Sequence, residues 1–463
     1  MAIAIPQEIV DCILNNLHSE KPTLSNCALV RKSWTASAQR GLFQHIILRF
    51  PDPYYRESIA SELATAYNKR NEQLIEIFER KPFLMACVRT LELEQFAQLE
   101  RFQGQLVPES LVRRKERLVT STTKVLKRLH NLESLLLLNA HWDSLSLELR
   151  EALMHLFNQL SLTRITLSFF QISSFQDLAS LLSQASNLKI LNIHFSCCYN
   201  WELPTTPLIN RPPRLIQLDH SLSLLSYNDI APFLSWFQHD SCPFETRNLR
   251  SLKVNRIDAL NDVEFASMLQ YTGGNLQDLI LQGPFPIQPS SVLHIGHLHN
   301  LQSLTILETI QTAVESPVPW ILGLFRHLPE SERETSPLRR LTISLLIDCA
   351  TIRWARRLND WTVVDMLFTQ RRFALLECVK IELLGRSLPV LRDIKSILIK
   401  KMSSLEGAGK LEVEIAHIQH SQLQQTRRYT IHALGCLLQV RRWIYRTEDA
   451  VNNGIRWLLH QDR

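Results

Sequence analysis

At 463 residues, with 45% apolar and 21% charged side chains, the chain is too long for one ordinary compact core and too apolar for long disorder. It suits two or three domains or one extended array of repeats. A formal net charge of +6 gives no reason to expect a nucleic-acid partner, and the nine scattered cysteines, with no CxxC pair, read as reduced thiols of a cytoplasmic or nuclear protein.

No basic stretch leads into an apolar segment at the N-terminus, so no signal peptide is expected. No run of 18 apolar residues predicts a membrane span. The first predicted element is a helix over residues 5–17. Pro6 fits its first turn, where the missing N–H costs nothing, and Glu8 complements the positive end of the dipole. Ile9, Ile13 and Leu17 recur at four-residue steps with Leu14 beside them, giving one apolar stripe. Lys21-Pro22 breaks this helix. Thr23 is a good N-cap for a second, carrying Leu24, Cys27, Ala28, Val30 and Trp34. A third helix is expected from about Thr35 to Leu42, and His45 to Leu48 reads as a strand. Three helices in so short a stretch are marginal alone. Such a module either packs on the next domain or covers another protein, and Ile5, Ile9 and Leu17 exceed what so small a core needs.

The order Ile5-Pro6-x-Glu8-Ile9-x-Asp11-x-Ile13, then Leu17, then Thr23-Leu24-x-x-Cys27-Ala28-Leu29-Val30 with Trp34 and Leu42-Phe43, resembles an F-box of the version common in mushroom-type fungi. The likeness covers residues 4–48, and Arg31 stands where many relatives place a second cysteine. It implies a partner, the Skp-type adaptor of a cullin–RING ubiquitin ligase, and through it a cullin. Carried onto this chain, the implied docking face is Ile5, Pro6, Ile9, Ile13, Leu14 and Leu17, with Leu24, Val30 and Trp34 joining it or supporting it from behind.

Further along, Asn-Leu-x-x-Leu recurs at Asn131, Asn187, Asn248, Asn275 and Asn300. Relaxed to apolar-x-x-apolar-x-apolar, the pattern starts at Val88, Leu132, Leu162, Leu188, Leu249, Leu276, Leu301, Leu338 and Leu376, with a degenerate copy at Leu215. The last two apolar residues of each copy lie two apart and face one side of a short strand. Stacked in parallel, such strands build a core that no single unit could close. Helical stripes lie between them: Leu74, Ile75, Ile77 and Phe78 before Lys81-Pro82, then Leu149, Leu153, Leu156 and Leu160, then Phe175, Leu178, Leu181 and Leu182 after Ser174. Asn261 to Glu264 reads as a capping box, with Gly273-Gly274 ending that helix. Residues 97–128, with the solvated basic run Arg113 to Arg117, read as an insertion. Residues 199–214 and 313–337 read as proline-bearing loops. The units resemble the irregular leucine-rich repeats that follow F-boxes in fungal proteins, without the regular Asn or Cys ladder of tidier examples.

The expected fold is therefore α/β: a three-helix F-box over residues 1–48, a helical linker and first repeat helix over 49–87, a leucine-rich-repeat-like solenoid of parallel strands and outer helices over 88–420, and a helical cap or tail over 421–463. His294-x-x-His297-x-His299 lacks a neighbouring cysteine pair or carboxylate and is not read as a metal site. No GxxxxGK[ST], GxGxxG or GxSxG occurs. No catalytic residue, cofactor or metal is expected. The implied function is a non-catalytic substrate-recognition subunit of a Skp–cullin–F-box ligase whose repeats bind a target protein. The alternative is a leucine-rich-repeat scaffold with no ligase link.

Overall fold

The computed structural model describes residues 6–17, 20–51, 57–96, 109–194, 197–202, 216–218, 221–225, 231–239, 242–255, 262–283, 294–311, 316–326, 328, 335–347, 358–385 and 387–417. The expected cap or tail over 421–463, Ile5 and Asn261 lie outside them.

The chain opens with three helices, α1 (Gln7–Asn16), α2 (Lys21–Val30) and α3 (Lys32–Gln44). The second begins at Lys21, not after Thr23, because Pro22 sits in its first turn, where it needs no N–H partner. The third runs longer at both ends than the Thr35–Leu42 expectation and passes at Gln44 directly into a strand at His45.

Twelve strands then pair in parallel in one sheet, and their order in space is their order in the chain. They are β1 (His45–Arg49), β2 (Thr90–Glu94), β3 (Ser134–Leu138), β4 (Arg164–Ser168), β5 (Ile190–His194), β6 (Ser221–Leu225), β7 (Ser251–Asn255), β8 (Asp278–Gln282), β9 (Ser303–Gln311), β10 (Arg340–Ile347), β11 (Cys378–Gly385) and β12 (Leu411–His417). The architecture is α/β. Its first strand is β1, so the ladder begins at His45 and not at residue 88 as expected.

The sequence pattern explains the ladder. Leu91, Leu135, Ile165, Leu191, Leu222 and Leu252 stand in register from β2 to β7. Leu93, Leu137, Leu167, Ile193, Leu224 and Val254 form a second row beside them. All are buried in one continuous apolar core. Side chains of period two send both rows to the same face, which the crossover helices cover. Among these helices are Leu147–Phe157, Phe175–Ser183 and Trp361–Phe368, each burying its own apolar stripe in that core.

The repeated asparagine has a local task. Asn187 Nδ2 donates to the Leu160 carbonyl at 2.6 Å, Asn275 Nδ2 to the Arg247 carbonyl at 3.2 Å, and Asn300 Nδ2 to the Gly274 carbonyl at 2.5 Å. Each bond stitches one strand approach to the preceding one and satisfies a turn carbonyl that the ladder leaves unpaired.

Four further expectations are corrected. The strand placed by the copy at Leu215 lies further on, at Ser221–Leu225. Residues 216–217 instead pair with 244–245 in a separate two-stranded ladder. The described part of the supposed insertion is a helix, Glu109–Leu126, packed on the long helix α4 (Glu57–Arg80). Buried Tyr67 and Thr122 hydrogen-bond across that contact at 2.7 Å, which makes it a crossover element and not an excursion. The supposed loop over 313–337 contains a helix, Val318–Leu324, that starts with proline in its first turn and buries Trp320 and Ile321. Leu160, counted in a helical stripe, lies beyond the end of its helix and is exposed.

Candidate functional site

The first three helices form a module with its own small core. Val10 and Leu14 of α1, Leu24 of α2 and Ala38 of α3 are buried together, apart from the core of the sheet. Leu17, Cys27, Ala28, Trp34 and Leu42 pack around them, partly buried. Asp11 ties α1 to α3: it accepts hydrogen bonds from the Ser37 hydroxyl and, at 2.8 Å, from Gln7 Nε2. Those two donors hold its carboxyl below the usual carboxylate range. Thr35 Oγ1 donates to the Ala28 carbonyl at 3.0 Å, filling one of the acceptor positions that a helix C-terminus leaves open.

The module is also fastened to the sheet. The Phe43 and Phe78 rings meet at 6.1 Å between centroids, and Lys21 Nζ donates to the His45 carbonyl at 3.2 Å. Gln44 turns its carbonyl toward β2, where it accepts from Arg89 N. By the alternation of a parallel strand, His45 turns its own carbonyl toward the outer edge of β1, so the α2 lysine covers a sheet-edge acceptor.

The implied docking residues divide into two groups. Ile9 and Ile13 lie one turn apart on α1, and each is 51% exposed; Val30, at the end of α2, is 68% exposed. Pro6 is exposed just before α1, and its carbonyl accepts from the Ile9 and Val10 N–H groups at 3.1 and 3.2 Å. Leu14 and Leu24 are sealed in the module's core. Leu14, 1% exposed, therefore offers no accessible surface to a partner, and Asp11 beside it hydrogen-bonds to Ser37 of α3. Leu24 stands behind the face, and Leu17 and Trp34 are packed against the same core and stay only partly accessible. Leu29, which belongs to the motif but not to the implied docking face, is 85% exposed beside Val30. Its apolar character at a helix end was the available signal.

A second surface is the uncovered face of the sheet, where the alternate strand positions are half-exposed. Asn192 Nδ2 donates to Thr166 Oγ1 at 3.2 Å, and His194 Nε2 lies 3.3 Å from Ser223 Oγ. Burial, with the Lys253 charge, pushes the His194 imidazole down to about 4. At the start of the sheet, Arg49 pairs with Glu94 and His45 Nε2 lies 3.2 Å from Glu92 Oε2. Arg49 holds the Glu94 carboxyl low, whereas burial and the adjacent Glu94 raise Glu92 to about 7.

These groups give opposed pH dependences. His194, ordinarily near 6.5, stays neutral in the folded chain, so the unfolded chain binds the extra proton between about 4 and 6.5. Stability present above that window is lost as pH falls through it. Glu92 holds its proton in the folded chain from about 4.5 to 7, so its contribution is present at low pH and lost as pH rises. Between pH 6.5 and 4.5 the melting temperature of His194→Asn should fall less steeply than that of the wild type, and that of Glu92→Gln more steeply. Parallel curves for all three proteins would refute the assignment.

The three histidines raised by the sequence do not assemble a metal centre. The His294 and His297 rings meet edge to face at 5.2 Å, burial lowers the pKa of His297, and among the described residues no three His, Cys, Asp or Glu side chains are grouped to hold a metal ion. No described helix is long and apolar enough to cross a membrane. No protein-family model matches the chain, and no curated protein matches it.

Proposed function

We propose that the protein is a substrate-recognition subunit of a Skp–cullin–F-box ubiquitin ligase, with α1 to α3 acting as the F-box. The twelve-stranded ladder then serves as an irregular leucine-rich-repeat solenoid that holds a target protein. The observation that carries the reading is the double use of α1. Val10 and Leu14 close the module's own core, while Ile9 and Ile13 form a second apolar stripe that the chain leaves half in solvent. A short helix with one face satisfied and another spare suits helix-in-groove burial by a partner. Leu29 and Val30 add apolar surface at the end of α2, and Ile5 belongs to the motif that implies the adaptor.

No catalytic group is required of this chain. Its contribution is effective concentration: tethering a target beside a charged ubiquitin-conjugating enzyme makes transfer nearly intramolecular.

The test is co-expression of the full chain with a fungal Skp-type adaptor, followed by co-purification and titration. Ile9→Glu with Ile13→Glu should weaken binding by roughly 100-fold or more, the size expected when central anchors are lost. The circular dichroism and melting curve should stay unchanged, because both side chains already face solvent. Absence of any complex with the wild-type chain, or full binding by the folded double variant, would leave the repeat scaffold without a ligase link.

A further inference from the structure

One cavity lies at the rim where β9, β10 and β11 begin. It has a volume of about 350 Å³ and opens between three strand approaches. Its apolar wall is supplied by Leu298, Leu301 and Leu338, all buried. Its polar side is supplied by Ser336, His299 and Arg372.

Arg372 is the unusual member. It sits in the short turn Arg371–Phe373, between the helix Trp361–Phe368 and β11. Its carbonyl accepts from Ser336 N at 2.8 Å, which pins the turn to the opposite wall of the cavity. Its guanidinium carbon lies 5.5 Å from the centroid of the Phe373 ring, and Phe373 is itself locked edge to face against Phe325 and Phe368. The Arg372 Nε is buried and makes no hydrogen bond, and no described carboxylate pairs with this side chain. The side chain as a whole is only partly buried and lines the cavity, so its terminal donors can meet an anion that enters. The guanidinium presents a planar fork of donors matched to a carboxylate.

We infer that this cavity binds an organic carboxylate with a compact apolar body, the anion on Arg372 and the apolar part against Leu298, Leu301 and Leu338. The volume lies at the small end of the range for ligand sites, which fits a single ring or branched chain. The carboxylate can come from a free small acid or from the C-terminal residue of a peptide, since both offer the same atoms. The inference is independent of the adaptor reading, because no residue of α1 to α3 lines the cavity.

The full chain would be titrated by calorimetry with 3-phenylpropionate, with its amide, and with a short peptide ending in phenylalanine as free acid or amide. Saturable binding of either acid, at least 10-fold tighter than the matching amide, is expected; which acid binds identifies the source. Arg372→Gln should abolish the preference for acid over amide, and Arg372→Lys should keep part of it. Thr335→Trp, an exposed rim position, should block both ligands and covers the case in which Arg372→Gln does not fold. Absence of saturable binding by either acid, equal binding of acid and amide, or unchanged affinity in folded Arg372→Gln would overturn the inference.

Discussion

Phe175→Ala is expected to destabilise the protein by about 3–5 kcal/mol, the range for emptying a fully buried aromatic position. Phe175 opens the helix Phe175–Ser183, and Ser174 caps that helix by accepting from Asp177 N at 3.1 Å. Its ring meets Phe233 at 5.0 Å, Trp236 at 5.3 Å and Trp201 at 5.7 Å between centroids. The first two contacts are edge to face, the geometry that adds to simple burial. Three rings from other segments lose a neighbour at once, and side chains that wide cannot collapse into the space. Denaturant unfolding followed by fluorescence is the measurement; a shift below about 1 kcal/mol would show that the cluster does not carry the packing assigned to it.

Leu24→Ala is expected to cost about 2–5 kcal/mol, with its effect confined to the first three helices. Leu24 is fully buried at the centre of a core whose other sealed apolar members, among the described residues, are Val10, Leu14 and Ala38. Gly41 makes room for it: a Cβ there would come within 2.9 Å of Leu24 Cδ1. The sheet has its own core and does not depend on this contact. Amide hydrogen exchange should therefore show lost protection across α1 and α2 and retained protection in β2 to β8. On the proposed F-box reading, adaptor binding would fail in this variant through unfolding, whereas the Ile9 and Ile13 substitutions would remove binding with protection intact. Global loss of protection would mean that the module and sheet unfold as one.

The strands were legible because the pattern of paired apolar residues is enforced by burial: any polar residue at Leu191 or Ile193 would face the core. The strand near residue 220 was missed because its approach is one residue longer, Leu218 standing four places before Leu222 where other units use three. Prolines misled the reading of Val318–Leu324, since a helix tolerates them in its first turn. In α1 the period identified a helix but not which of two adjacent stripes turns inward. Ile9 with Ile13 and Val10 with Leu14 differ by one position, and the inward pair is the one that packs on Leu24 and Ala38, which lie on other helices. Arg372 gave no signal at all, because its cavity is assembled from segments beginning at residues 295, 335 and 372.

The junction at Gln44 and His45 has a mechanical meaning. Helix α3 ends where β1 begins, with no spacer, and Phe78 and Lys21 clamp the joint from two sides. A hinge needs residues free to change their dihedrals, and Gln44 and His45 both lie inside regular elements. On the proposed reading, a partner seated on Ile9 and Ile13 would inherit a set bearing toward the sheet, and a target held along the ladder would be delivered at an angle fixed by the backbone.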